Sequence, residues 1–207
     1  MLLCAGWVVA GGCGGPSDKT WTAESKLYPL ALGNKWVFAH SGPEKVVQAI
    51  RTRSIVGTGL LNGKPAWKME ERGGQIEGPL DSLIHSDAKG VSVHIFDQYN
   101  SKDAERLDLS YPLSVGKTWR SEMQIYDNGH VRNMVWVFRV VGEEKVTVPA
   151  GTFRAVRVDG NTEQVDPDET TFLRTWFVPR LGPVMLQWGS TPDANERTFR
   201  LLRYTVK

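Results

Sequence analysis

The chain has 207 residues, 41% of them hydrophobic and 23% charged. That balance suits one folded domain or two small fused ones and excludes a disordered chain. Its 25 basic and 23 acidic residues give a formal charge of +2 without a long basic run, so no nucleic-acid partner is implied. Both cysteines, Cys4 and Cys13, lie near the N-terminus. The body therefore has no disulfide framework, CxxC redox pair or cysteine-rich metal site.

Leu2 to Ala10 is an apolar run, too short to span a bilayer and of the size of a signal-peptide core. It ends in Ala10-Gly11-Gly12-Cys13-Gly14, which resembles the bacterial lipobox. There, small residues let a peptidase reach the backbone and the cysteine thiol takes the lipid. Ala10 stands where leucine is usual, and no basic segment precedes the apolar run. The expectation is a signal peptide over 1–12, lipidation at Cys13 and a flexible, glycine-rich tether over 13–26. Several acyl chains anchor firmly, because each buried methylene contributes about 0.8 kcal/mol. The lipoprotein resemblance places the protein in the bacterial envelope. With Gly14 after the cysteine, it implies the outer membrane, facing the periplasm or the cell surface.

Residues 27–207 read as strands. No segment keeps a 3.6-residue apolar period over three turns, while short β-rich runs recur between Gly, Pro, Asn and Asp. Trp36–Ala39 and Val46–Val56 come first, and Asn62-Gly63 marks a tight hairpin. Ala66–Glu70, Ser82–His85 and Val91–Phe96 follow, the last two joined at Lys89-Gly90. Met123–Tyr126 and Val131–Val141 flank Asp127-Asn128-Gly129. Met134–Phe138 is apolar on both faces, which predicts a strand covered on both sides. Lys145–Val148, Phe153–Val158, Thr171–Val178, Val184–Trp188 and Thr198–Val206 complete the series. Strands joined by short turns without helical crossovers predict an all-β antiparallel meander.

Tyr28-Pro29-Leu30-Ala31-Leu32-Gly33-Asn34-Lys35-Trp36 recurs 83 residues later as Tyr111-Pro112-Leu113-Ser114-Val115-Gly116-Lys117-Thr118-Trp119, identical at five of nine positions. Val56-Gly57 pairs with Val141-Gly142, the turn at Gly63 with Gly151, and that at Gly90 with Gly182. Two units, 28–110 and 111–207, are expected. Together they would form one curved sheet, half-barrel or open barrel.

Tyr28–Trp36, Val146–Val158 (VTVPAGTFRAVRV) and Trp176–Met185 (WFVPRLGPVM) resemble a family of bacterial envelope proteins, often lipoproteins, that includes those called TapB-like. The resemblance spans about residues 27–207 and implies a β-rich curved sheet or open barrel, with no catalytic residues to carry over.

Gly116-Lys117-Thr118 looks like the end of a phosphate-binding loop, but Tyr111 stands where the loop needs glycine. His40, His85, His94 and His130 form no HxH, HxxxH or HExxH pattern. His85 and His94 flank one turn, and two ligands alone make a poor zinc site. Asp166-Pro167-Asp168-Glu169 lacks the ligand spacing of a calcium loop. There is no GxSxG elbow. The residue pattern thus points to no enzyme, metal or cofactor.

The eight tryptophans are the feature with functional reach. Trp36, Trp67, Trp119, Trp136, Trp176 and Trp188 either form a plain core or line a concave apolar surface. Two functions follow. One is a non-catalytic, membrane-anchored binding module for another envelope protein or a polymer. The other is a carrier or sensor of an apolar ligand, a lipid or acyl chain, held inside the curved sheet.

Overall fold

Strand-forming runs joined by short connections pair most readily with their chain neighbours, and most strands of this chain do so. In the computed structural model the described residues are 19–41, 47–73, 80–96, 104–127, 130–163, 170–190 and 196–207. Cys13 and the Asp166–Glu169 loop lie outside them. The strands are β1 (Thr20–Trp21), β2 (Lys35–Ser41), β3 (Val47–Leu61), β4 (Lys64–Gly73), β5 (Leu80–Ser86), β6 (Gly90–Phe96), β7 (Glu105–Ser110) and β8 (Leu113–Ser114). They continue as β9 (Thr118–Asp127), β10 (His130–Val148), β11 (Gly151–Thr162), β12 (Thr171–Val178), β13 (Gly182–Ser190) and β14 (Arg197–Thr205).

Twelve strands make one antiparallel sheet in the order β7-β6-β5-β4-β3-β2-β14-β13-β12-β11-β10-β9, and β1 pairs with β8 in a two-stranded patch. The chain is thus two six-strand meanders, β2–β7 and β9–β14, joined by the ladder between β14 and β2. The other junction, between β7 and β9, is a seam. The strands lie side by side, and side chains do the bonding. The Leu107 amide donates to Ser121 Oγ at 2.7 Å, and Trp119 Nε1 donates to the Leu107 carbonyl at 2.9 Å. The result is an all-β sheet nearly closed into a barrel.

Strand β10 runs unbroken for 19 residues, where the sequence reads as two strands. Val140-Val141-Gly142 looks like a turn but forms a bulge, with the register shifting between Val140 and Gly142. A bulge takes up one extra residue and bends the strand without ending it. The outer face of β10 is also less covered than its apolar sequence predicts. Trp136 and Phe138 are buried while Val135 and Val137 are only half-buried, because one face of an antiparallel barrel looks outward.

All turns within the described residues fall at one end of the barrel, called here the near end. They lie between β3 and β4, β5 and β6, β7 and β9, β10 and β11, and β12 and β13. β2 begins and β14 finishes at this end too. The opposite strand ends lie at the far end, and the connections between them fall outside the described residues.

At the near end the two Tyr-Pro-Leu motifs make the same bonds. Gly33 and Gly116 adopt φ of 87° and 84°, which side-chain-bearing residues resist. The Gly33 amide donates to Ile55 O at 2.9 Å, and the Gly116 amide to Val140 O at 2.9 Å. Ile55 N donates to Asn34 O and Val140 N to Lys117 O, again at 2.9 Å each. Even the proline carbonyls are capped alike, Pro29 O by Asn34 Nδ2 at 3.0 Å and Pro112 O by Lys117 Nζ at 2.8 Å. Lys117 is thereby tied into scaffold. A register shift follows each motif at the matching place, between Ile55 and Gly57 in β3 and between Val140 and Gly142 in β10.

A barrel of about eight strands is filled by its own side chains, so twelve strands need more filling. The N-terminal segment supplies it. Within the stretch read as tether, the part from Lys19 onward is packed. β1 pairs with β8, Trp21 is 2% exposed and Leu27 is fully buried. The Arg180 amide reaches Ser25 O and Lys26 O, both at 3.1 Å, so the segment crosses the near end. The β10–β11 tip folds onto the same end, with Ala150 N donating to Leu201 O at 2.9 Å. One continuous core results, with Trp36, Phe38, Ile55, Ile84, Val140 and Val184 among its buried members.

Candidate functional site

Period-two alternation turns every second side chain inward, and in the first meander several of those side chains are charged. Arg51 and Arg53 on β3 project toward Glu71 on β4. Arg51 Nη1 and Arg53 Nε each lie 2.7 Å from a different Glu71 oxygen. Glu71 is 4% exposed, so one buried carboxylate serves two guanidinium groups. On β7, Arg106 Nε pairs with Asp108 at 2.5 Å. These side chains meet an aromatic wall. Arg51 lies 4.4 Å from the Phe199 ring centre, Arg53 5.8 Å from Phe38 and Arg106 4.9 Å from Trp136.

Beside these charges is a cavity of about 90 Å³, lined by Tyr28, Arg53, Glu71, Arg106, Asp108 and Phe177 among others. Small-molecule pockets span roughly 300–1,000 Å³, and this one is on the scale of ordered water. Tyr28 caps it from the near end, with its hydroxyl 3.5 Å from Met69 Sδ. Burial pushes the Tyr28 phenol up to about 12, against the pull of Arg53 and with the help of Asp108 and Glu71. Burial is the largest single influence on Arg53 and opposes its charge, yet Glu71, Tyr28 and Asp108 together leave the guanidinium pKa raised. His40 stacks on Phe199 at 4.7 Å. Burial, then Arg51 and Arg197, holds its imidazole below the ordinary value.

The six tryptophans do not converge on this cavity. Trp36 is fully buried, donating Nε1 to Leu181 O at 2.7 Å. Trp119 and Trp136 sandwich Phe138, with centroids at 5.3 and 5.9 Å. Trp176 donates to the Glu144 carboxylate and lies under Arg157 at 5.2 Å. Trp188 is 39% exposed beneath Arg197. Trp67 borders a separate groove at the near end, about 280 Å³, with Tyr28, Pro29, Leu30, Tyr111 and Lys207. The histidines also stay apart in register. His85 faces Ser92 and His94 faces Leu83, and His85 Nδ1 lies 2.7 Å from Pro65 O.

The inward charges are not among the site residues expected from the sequence. Their signal is the spacing Arg51-x-Arg53-x-Ile55, Met69-x-Glu71 and Arg106-x-Asp108, which puts charge on the same strand face as buried apolar residues.

No protein-family model matches the chain, and no curated protein matches it in sequence. Solved structures do match in shape. A candidate lipoprotein from Parabacteroides distasonis superposes with a TM-score of 0.58 at 14% identity, over 86% of this chain and 98% of that one. A candidate exported protein from Bacteroides fragilis, described as having a YmcC-like fold, gives 0.56 at 14% identity over the same shares. This chain's fold is similar to the YmcC-like fold. At that identity the likeness speaks to the fold alone. Both neighbours are envelope or exported proteins by description, and neither description names an enzymatic activity.

Proposed function

We propose that this chain is a non-catalytic lipoprotein of the bacterial envelope, anchored through Cys13, whose barrel is a binding module for another envelope component. The course of the N-terminal segment carries the reading. Thr20–Trp21 is fixed against β8 and the following residues plug the near end, so the anchor holds that end to the membrane and turns the far end away from it. The Tyr28–Trp36, Val146–Val158 and Trp176–Met185 motifs support kinship with the TapB-like group. The matched bonds of the two Tyr-Pro-Leu motifs support an origin by duplication of one six-strand unit. Gly14 supports the outer membrane as the destination.

A carrier of an apolar ligand inside the barrel has less support, because the cavity beside Arg53 and Glu71 is about 90 Å³ and bordered by ion pairs. An acyl chain there would strip water from Arg53, Glu71, Arg106 and Asp108 without replacing their hydrogen bonds.

Two measurements test the proposal. Cys13→Ala should move the protein from the membrane to the soluble fraction, and unchanged fractionation contradicts the anchor. Native mass spectrometry of the unlipidated protein should give the mass of the chain alone. A co-purifying lipid adduct would favour the carrier.

A further inference from the structure

We infer that the near end of the barrel is a membrane-contact face that rests on an anionic lipid surface. The inference builds on the proposed lipidation at Cys13 and draws on three further observations.

The first is reach. Six residue steps separate Cys13 from Lys19, and an extended chain covers at most about 3.6 Å per residue. Lys19 is held at the near end by β1–β8 pairing beside it and by its 2.5 Å contact with Glu143. A lipid on Cys13 therefore keeps this end within roughly 20 Å of the bilayer.

The second is charge. Lys26, Lys35, Lys64, Lys89, Arg180 and Lys207 are exposed on the turns and strand ends of the near end. The acids beside them are Glu24, Asp87, Glu105 and Glu143. Asp87 accepts from the Lys89 and Gly90 amides at 2.8 and 3.0 Å, Glu105 accepts from Asn62 at the β3–β4 turn at 2.7 Å, and Glu143 is paired with Lys19, so cations outnumber acids there. A basic face beside the anchor would orient the barrel on an anionic leaflet, because each basic group near such a surface adds to the attraction.

The third is apolar exposure amid those cations. Leu60 is 67% exposed, Leu32 57% and Val115 37%. Leu32 and Val115 occupy the same position in the two Tyr-Pro-Leu motifs, so the near end presents matched apolar tips. Apolar side chains flanked by lysines are the composition of surfaces that seat in the headgroup region.

The test uses the chain from residue 13 onward carrying Cys13→Ser, which keeps every described residue and has no lipid. It is mixed with vesicles of phosphatidylcholine alone or with added phosphatidylglycerol, and sedimented at low and high salt. Binding should need phosphatidylglycerol and fall with salt. Lys26→Glu, Lys64→Glu, Lys89→Glu and Arg180→Glu combined should weaken it by about tenfold or more, at an unchanged urea midpoint. Asp166→Asn with Asp168→Asn should leave it unaltered. Leu32→Ser with Val115→Ser should weaken it further at high salt. Equal binding to both vesicle types, or by the charge-reversed variant, overturns the inference. Displacement by heparin without any effect of the Leu32 and Val115 changes would instead indicate a general polyanion site and also overturns it. Cell fractionation of Cys13→Ala reads the anchor and this assay reads the face, so either can fail alone.

Discussion

In the first meander, β3 and β4 turn Arg51, Arg53 and Glu71 inward. In the second, the matching positions on β10 and β11 are Trp136, Phe138 and Gly160. The correspondence follows from register. Ile55 and Val140 take the same bonds from Gly33 and Gly116, Arg53 pairs with Glu71, and Phe138 pairs with Gly160. One backbone plan thus serves two interiors. A carboxylate fills the first by binding two cations, and a glycine fills the second by leaving room for an aromatic ring. Arg106 over Trp136 joins the two. The junctions differ in the same way. Phe38 stands on β2 beside a full ladder to β14, while its counterpart Ser121 stands on β9 at the seam and bonds the Leu107 amide. Where backbone pairing continues, the position is free for packing. Where it stops, a hydroxyl is needed.

The largest test of this contrast is Glu71→Ala. It leaves two guanidinium groups buried without their counter-ion and should cost about 3–5 kcal/mol in urea unfolding. Breaking the exposed pair between Arg120 and Glu163 in the other meander should cost at most about 1 kcal/mol. Equal losses would mean the buried cluster does not hold the first meander together.

At the equivalent site, Gly160→Ala drives a methyl group into the Phe138 ring. The expected cost is about 1–3 kcal/mol from overpacking, with disturbed near-ultraviolet dichroism from the Trp119–Phe138–Trp136 stack. A neutral outcome would sink the view that glycine was needed there.

Ser121→Ala should cost about 1 kcal/mol and speed amide exchange at Leu107, while exchange across β2 and β14 stays slow. Unaltered exchange at Leu107 would mean the seam has another closure.

The smallest effect concerns Tyr28 and Tyr111, the matched motif tyrosines. Burial raises both phenols from 10.0 to about 12. A folded pKa above the unfolded value means the neutral phenol is favoured in the fold. That stabilisation is complete below pH 10 and is lost as pH rises from 10 toward 12. Tyr28→Phe and Tyr111→Phe should each flatten the stability loss over that window. A full loss retained in both variants would place its origin elsewhere.

Much of the strand order was legible because glycine turns punctuate it, and the repeated Tyr-Pro-Leu motif marks where each meander opens. The bulge at Gly142 was not legible, because a bulge and a turn share the same local residues. The inward charges were hidden because a polar residue in an alternating strand is read as facing water. Only the pairing of β3 with β4 reveals that Glu71 lies between two arginines. The filling role of residues 19–30 was hidden too, since a glycine-rich start reads as tether even though Trp21 and Leu27 end up in the core.

The orientation of the barrel on the membrane depends most on the anchor. Intact-mass and peptide mass spectrometry of the protein extracted from membranes should find a chain beginning at Cys13, with acyl groups on that residue. A chain that retains residues 1–12 with an unmodified Cys13 thiol would contradict it.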